Sequence, residues 1–226
     1  LYTMFTDIKS QRASLKICAT QPNGDQYQIR NPEVHIADAR EMNFLSEASI
    51  DAVITSPPYL NRDNYIAQFK LELFLAEPPY GVREFKEYRD ITFRTLRSHV
   101  EAKGQPKFKT KLKMEEIDAL VEELRKRKLS YRTIPEMVKG YFEDMATVFT
   151  ELYRVIKKKG KGAIVVGNVR FGGVQIPVDF MLSRIAEDKG FSVDRIIVAR
   201  YKMNSPQQMK LYGRVPLRES IILLQK

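Results

Sequence analysis

The sequence predicts an α/β protein built on an open, largely parallel sheet, and three stretches carry that prediction. In Asp51-Ala-Val-Ile-Thr-Ser-Pro-Pro-Tyr59, the mostly apolar residues Ala52 to Thr55 form a short strand that two prolines stop, since neither has an N–H to give to a sheet. Further on, Val138, Phe142, Met145, Phe149, Leu152 and Ile156 recur at helical spacing, and Gly162-Ala-Ile-Val-Val-Gly-Asn168 follows as a strand apolar enough for parallel-sheet burial. Finally, strands at Phe191–Arg200 and Glu219–Lys226 are joined by a long loop, Tyr201 to Leu217, without a helical pattern, which predicts an antiparallel pair.

Composition bounds the function. At 226 residues the chain can bury a single sizeable core, and no apolar run nears the roughly 18 residues of a membrane span. There is no signal peptide, so a cytoplasmic protein is expected. One cysteine, Cys18, excludes an intramolecular disulfide. A net charge of +10 favours a polyanionic partner.

Taken in order, residues 1–30 form an N-terminal segment in which Asn23-Gly24 suits a hairpin turn between short strands. Glu33-Val-His-Ile-Ala-Asp38 then alternates as a strand with His35 on its solvated face, and Asp38 at its end can N-cap a helix over Ala39 to Phe44. An acid in that position can equally accept from the adenine amino group of a nucleotide-like cofactor, and the two roles are compatible.

At Ser56-Pro57-Pro58-Tyr59 the prolines fix the backbone so that the Ser56 hydroxyl and the Pro57 carbonyl point into a pocket with Tyr59 as one wall. Two acceptors and a flat face suit a planar amine. Ile66, Phe69, Leu73 and Phe74 then fall on one face of a helix, with Asn61 and Arg62 before it able to contact phosphate or cofactor, or to form a plain polar loop.

Residues 81–132 interrupt this succession. From Arg94 to Lys113, seven basic residues (Arg94, Arg97, Lys103, Lys107, Lys109, Lys111 and Lys113) face one acid, Glu101, a local balance of +6. Phe93 and Phe108 interleave aromatics, and Gly104 and Pro106 suggest an extended, mobile arm suited to nucleic-acid contact, or else a solvated insertion. Met114 to Lys128 reads as an amphipathic helix with a dipole-matched basic end. Pro135 starts the long helix, which Lys157-Lys-Lys-Gly160 is expected to end, and Asn168-Val-Arg-Phe-Gly-Gly173 reads as a loop on the same sheet edge as Tyr59. A last helix runs from Pro177 to Gly190.

At Thr55-Ser-Pro-Pro-Tyr59 the sequence resembles the amino-methyltransferases of DNA, whose motif is (Asp/Asn/Ser)-Pro-Pro-(Tyr/Phe) at the end of a strand. The serine form looks most like the enzymes that methylate N4 of cytosine, although some N6-adenine enzymes carry serine too. Pro57-Pro-Tyr-Leu-Asn-Arg62 with Lys70-Leu-Glu-Leu-Phe74, and the turn Arg154-Val-Ile-Lys-Lys-Lys-Gly-Lys-Gly162, resemble the same family.

The resemblance implies a Rossmann-like methyltransferase sheet, of which residues 33–226 cover the equivalents of strands three to seven, with a basic insertion. It implies a catalytic core of 31–80 and 133–226, with 81–132 contacting DNA or recognising the target. Ser56, Pro57, Pro58 and Tyr59 are then catalytic, and Asp38, Ala39, Thr55 and Asn168 lie in the pocket for S-adenosylmethionine. No metal is implied, the partner is DNA, and the setting is restriction-modification.

The family's Phe-x-Gly-x-Gly turn occurs nowhere in these residues, so a second polypeptide or an N-terminal region outside them is expected to supply it. Methylation of RNA or protein, and a non-catalytic DNA-binding subunit, are the other readings.

Overall fold

The computed structural model describes residues 35, 37–60, 64–76, 81–103, 112–204 and 206–226. Two compact units are distinguished, 1–37 and 38–226, and every element named here lies in the second. The expected hairpin of residues 1–30, together with Cys18, lies outside the described residues.

Four strands form one mixed sheet: β1 (Ile50–Thr55), β2 (Ile156–Gly167), β5 (Ser192–Lys202) and β6 (Leu217–Gln225), in the order β1-β2-β6-β5. β1 runs parallel to β2, with Thr55 opposite Ile164. β6 runs antiparallel to both β2 and β5, so the last strand returns against its neighbours as the sequence predicts.

One face of this sheet is covered by α5 (Ile134–Val155) and α6 (Val178–Asp188). Phe142, Phe149 and Leu182 on these helices are fully buried and share one core with Ile164 and Val166 of β2 and Ile222 of β6. On the other face, cross-strand register aligns Ile54, Ala163 and Leu223 in one row and Val165, Ile221 and Ile197 in the next. There Ile54 is 84% exposed and Ile197 42%.

Several expectations are corrected. Ala39 to Phe44 is a series of turns rather than a helix, because Arg40 folds back to donate to Asp38 and buries its guanidinium. Residues 35, 37 and 38, the described end of the strand expected before it, have no regular structure. The helix expected after Tyr59 is two short pieces, α1 (Tyr65–Gln68) and α2 (Lys70–Leu75), and the latter buries no residue.

The long helix ends at Val155, and Lys157 to Lys159 belong to β2 instead. Lys159 adopts a positive φ of 68° that no helix permits. The loop expected at 168–173 is a hairpin, β3 (Val169–Phe171) and β4 (Val174–Ile176), with positive φ at Gly172 and Gly173 in its turn. The connection from β5 to β6 contains a helix, α7 (Pro206–Tyr212).

Within 81–132 the structure holds α3 (Phe85–Arg94) and α4 (Glu115–Arg125), the second agreeing with the amphipathic helix expected there. The most basic part of the expected arm, residues 104–111, lies outside the described residues. Among the described residues no helix is long and apolar enough to cross a membrane.

A buried ionic centre joins these parts. The Asp144 carboxylate, on α5 and 1% exposed, accepts from the Arg97 backbone N–H at 2.8 Å and from its guanidinium at 2.8 and 3.0 Å. It also pairs with Arg40 at 3.3 Å. Removing one partner of such a buried group leaves charge uncompensated, so Asp144→Ala is expected to destabilise the fold by about 3–5 kcal/mol. Urea unfolding measures this, and a loss below about 1 kcal/mol would show that the pairing does not hold the fold.

Candidate active site

β1 delivers Ser56 to Tyr59 past its carboxyl end, where parallel pairing sets them beside the last residues of β2. Leu60, with no exposed surface, anchors the loop in the core. Tyr59 then lies over Gly167: a Cβ at that glycine would come 3.1 Å from the Tyr59 Cδ2 atom and 3.0 Å from Lys202 Nζ. The glycine is therefore what lets an aromatic ring rest on β2.

The ring sits beside an ionic cluster. Lys202 Nζ stands 4.8 Å from its centroid, within cation–π range. Lys202 Nζ also donates to Glu219 Oε1 at 2.8 Å, and Arg200 donates to the other carboxylate oxygen. The Arg200 guanidinium first, with Lys202 and Tyr59, outweighs burial and holds the Glu219 carboxyl down at about 2. Nearby, burial pushes the phenol of Tyr141 above its usual range, and its hydroxyl has no hydrogen-bond partner among the described residues.

A cavity of about 590 Å³ opens beside this cluster, lined by Tyr59, Asn168, Arg170, Lys202, Asn204 and Gln207 among others. That size is ordinary for a small-molecule site. Asn168 is fixed there, because its Oδ1 accepts from the Asp179 N–H at the start of α6 at 3.1 Å. Asp179 is itself buried and receives Ser220 Oγ at 2.7 Å and Arg218 at 3.1 Å.

The expected site residues are not all brought together. Tyr59 and Asn168 share the cavity, whereas Ser56 is exposed and Pro57, Pro58 and Thr55 are half-buried, none of them lining it. Asp38 is engaged by Arg40, whose guanidinium reaches the Arg94 carbonyl at 2.6 Å, and Ala39 is exposed. Neither lines the cavity.

Of the basic residues, Arg97 is turned inward onto Asp144 and Glu143. The Arg94 and Lys113 side chains are exposed, and Lys103 lies 4.8 Å over the Phe93 ring. Asn61, Arg62, Lys107, Lys109 and Lys111 lie outside the described residues. Among the described residues no group of three His, Cys, Asp or Glu side chains can hold a metal.

Sequence reasoning missed Glu219, Gly167 and Lys202. Their one signal is an acid opening an otherwise apolar strand, Glu219-Ser-Ile-Ile-Leu-Leu, where a charge has no place unless something pairs with it.

No family model matches the chain. It is 37% identical over 185 residues to the Type II methyltransferase M.AvaI of Nostoc sp. and of Anabaena variabilis, covering 78% of this chain and 38% of the relative. It is 39% identical over 205 residues to the Type II methyltransferase M.BsoBI of Geobacillus stearothermophilus, covering 80% of this chain and 39% of that one. The chain thus spans about two fifths of the length of the curated relatives it matches. Among solved structures, TTHA0409 of Thermus thermophilus in complex with S-adenosyl-L-methionine is 17% identical with a TM-score of 0.41, over 85% of this chain and 54% of that one.

The lowered Glu219 carboxyl gives a pH dependence with a definite sign. Its ionised form stabilises the fold above its ordinary value of 4.5, and this contribution is lost as pH falls from there toward about 2. Acid unfolding of wild type is expected to steepen across that window and to be shallower in Glu219→Gln; equal slopes would show that the carboxylate carries none of it.

Proposed function

We propose that this chain forms the base-binding part of a DNA methyltransferase that moves a methyl group from S-adenosylmethionine to the exocyclic amino group of a flipped base, N4 of cytosine. The observation that carries this reading is Tyr59, set by a Ser-Pro-Pro-Tyr strand end over Gly167 at the mouth of a cavity. Similarity to Type II methyltransferases over four fifths of the chain supports it. So does a mixed sheet whose last strand returns antiparallel, in keeping with a Rossmann-like methyltransferase core.

An exocyclic amine is a poor nucleophile because its lone pair is delocalised into the ring. Ser56 and the Pro57 carbonyl would accept the amino hydrogens and turn the lone pair out of the ring plane. When bound, S-adenosylmethionine offers an electrophilic methyl on a sulfonium. The amine nitrogen would take that methyl in an in-line displacement, the carbon–sulfur bond breaking to leave S-adenosylhomocysteine and the surplus proton passing to water, so positioning would supply most of the acceleration. The target base must leave the stack to reach this loop, at a cost of a few kcal/mol. Stacking on Tyr59 would return about 1–3 kcal/mol of it.

Of the residues proposed for the cofactor, Asn168 fits best: its Oδ1 caps α6, which leaves its amide nitrogen to donate into the cavity. Thr55 closes β1 next to the motif, and Asp38 and Ala39 belong to this role only if Asp38 shares its carboxylate between Arg40 and the ligand. The Phe-x-Gly-x-Gly turn that the family uses is missing from the sequence. We propose that a second polypeptide or an N-terminal region supplies it. Among the described residues Ile54, on the sheet face opposite α5 and α6, is 84% exposed, which supports this, since parallel α/β sheets are covered on both faces. Arg94, Lys103 and Lys113 would meet DNA phosphate, together with Lys107, Lys109 and Lys111 between the last two.

The test is calorimetric titration with S-adenosylmethionine, on the chain and on the chain with any co-purifying partner, followed by labelled-methyl transfer to DNA and nucleoside analysis. Transfer yielding N4-methylcytosine is the expected outcome, and N6-methyladenine would move the target base. Ser56→Ala is expected to lower the rate by about 100-fold through lost positioning, and Tyr59→Ala by about 10- to 100-fold through lost stacking. No binding and no transfer in the assembly would leave a DNA-binding subunit.

A further inference from the structure

We propose that the cavity beside Tyr59 takes its target as a whole nucleotide, with Arg170 as the cation that receives the phosphate, an inference that rests on the reading of Tyr59 as the face on which the target base stacks. Arg170, on β3, lines that cavity and is half-buried. The other described arginines that are not exposed each pair with a carboxylate: Arg40 and Arg97 with Asp144, Arg154 with Glu151, and Arg218 with Asp179. Among the described residues no carboxylate pairs with Arg170. Its guanidinium donates to backbone carbonyls, from Nε to Gly173 at 3.1 Å, from Nη1 to Gly213 at 3.1 Å and from Nη2 to Tyr212 at 2.7 Å. Carbonyls orient a guanidinium but do not neutralise it, and a charge withdrawn from water is costly until an opposite one arrives.

Capping α7 does not account for this arginine. The exposed Lys210 in the last turn of that helix already matches its dipole. Arg170 reaches the same end from the hairpin, with its Cζ 5.5 Å from the centre of the Tyr212 ring. Each terminal nitrogen spends one N–H on a carbonyl, which leaves one on each for a ligand.

The rest of the lining agrees. No aspartate or glutamate lines the cavity, whereas Arg170, Lys202 and the amides of Asn168, Asn204 and Gln207 do. Lys202 shares Glu219 with Arg200, so that group of two cations and one carboxylate keeps a positive balance of its own. Cations and amides around one aromatic wall fit an anion that carries a flat ring, and about 590 Å³ leaves room for sugar and phosphate beyond the ring. A base does not arrive by itself. Flipping turns a nucleotide about its backbone, so the base that reaches Tyr59 brings a flanking phosphate with it. A phosphate held on Arg170 would set where that rotation stops, the positioning task that backbone contacts perform.

Two measurements test this. Deoxycytidine 5′-monophosphate and deoxycytidine are each titrated calorimetrically into the purified chain, and the monophosphate is expected to bind about tenfold more tightly or better. Arg170→Gln is expected to bring the two affinities together, and Arg170→Lys, which keeps the charge without the planar fork, to retain part of the difference. Were Arg170 only a strut for α7, its loss would deform the cavity and weaken both ligands alike. An unchanged ratio in Arg170→Gln therefore overturns the inference, as does equal binding of the two ligands by wild type or binding of neither. In methyl transfer by the active assembly, Arg170→Gln is expected to raise the KM for DNA about tenfold without changing the KM for S-adenosylmethionine. The reverse would assign Arg170 to the cofactor's carboxylate and overturn the inference. A wild-type assembly that transfers no methyl would remove the proposed function, while the nucleotide titrations need no cofactor and would still decide whether Arg170 takes phosphate.

Discussion

Asp144 is the group on which the rest of this structure depends. It sits in the middle of α5, and through Arg97 and Arg40 it gathers the chain after α3 and the turn before β1 onto that helix. The helix is adapted to it: a Cβ at Gly140 would lie 2.7 Å from Arg97 Cδ, so the glycine opens room for the arginine stem. Glycine inside a helix costs about 1 kcal/mol relative to alanine. Buried charges seldom add net stability over an apolar packing.

From α5 the chain passes straight into β2, and β2 is the strand against which the candidate site is aligned. Parallel pairing with β1 fixes where the proline-rich turn emerges, and a slip of one residue would turn its side chains to the other face. Strand order therefore puts Gly167 and Glu219 side by side on β2 and β6, with Tyr59, past the end of β1, resting over Gly167. The site is a property of the sheet before it is a property of its loop.

What the sequence made legible follows from period and length. α5, α6, β5 and β6 are long, strongly patterned runs, and each lies where its pattern predicts to within a few residues, whereas β2 begins six residues before its expected start at Gly162. α7 escaped because Gln207 and Gln208 give it no apolar stripe, and the β3–β4 hairpin because two adjacent glycines read as a loop whether or not strands flank them. Arg97 and Arg94 look alike in the sequence, and only the position of Asp144 on the facing helix turns one inward. Half of Asp38's role was legible: it caps backbone as expected, but its partner is the N–H of Arg40 in a turn rather than a helix. Tyr59 was found by its motif, whereas Glu219 lies 160 residues further along and no local pattern connects the two.

The outer edge of β1 carries a further consequence. Asp51 and Lys157 place opposite charges at its start, 2.7 Å apart. Beyond them Ala52 to Thr55 offer no charge and no proline, and among the described residues no strand pairs with that edge. Backbone donors and acceptors beside an exposed isoleucine form a template for strand addition. In a concentrated solution of the chain by itself, the same four residues that aim Tyr59 are where one molecule would seed aggregation with another, and a bound partner would act on colloidal stability as directly as on chemistry.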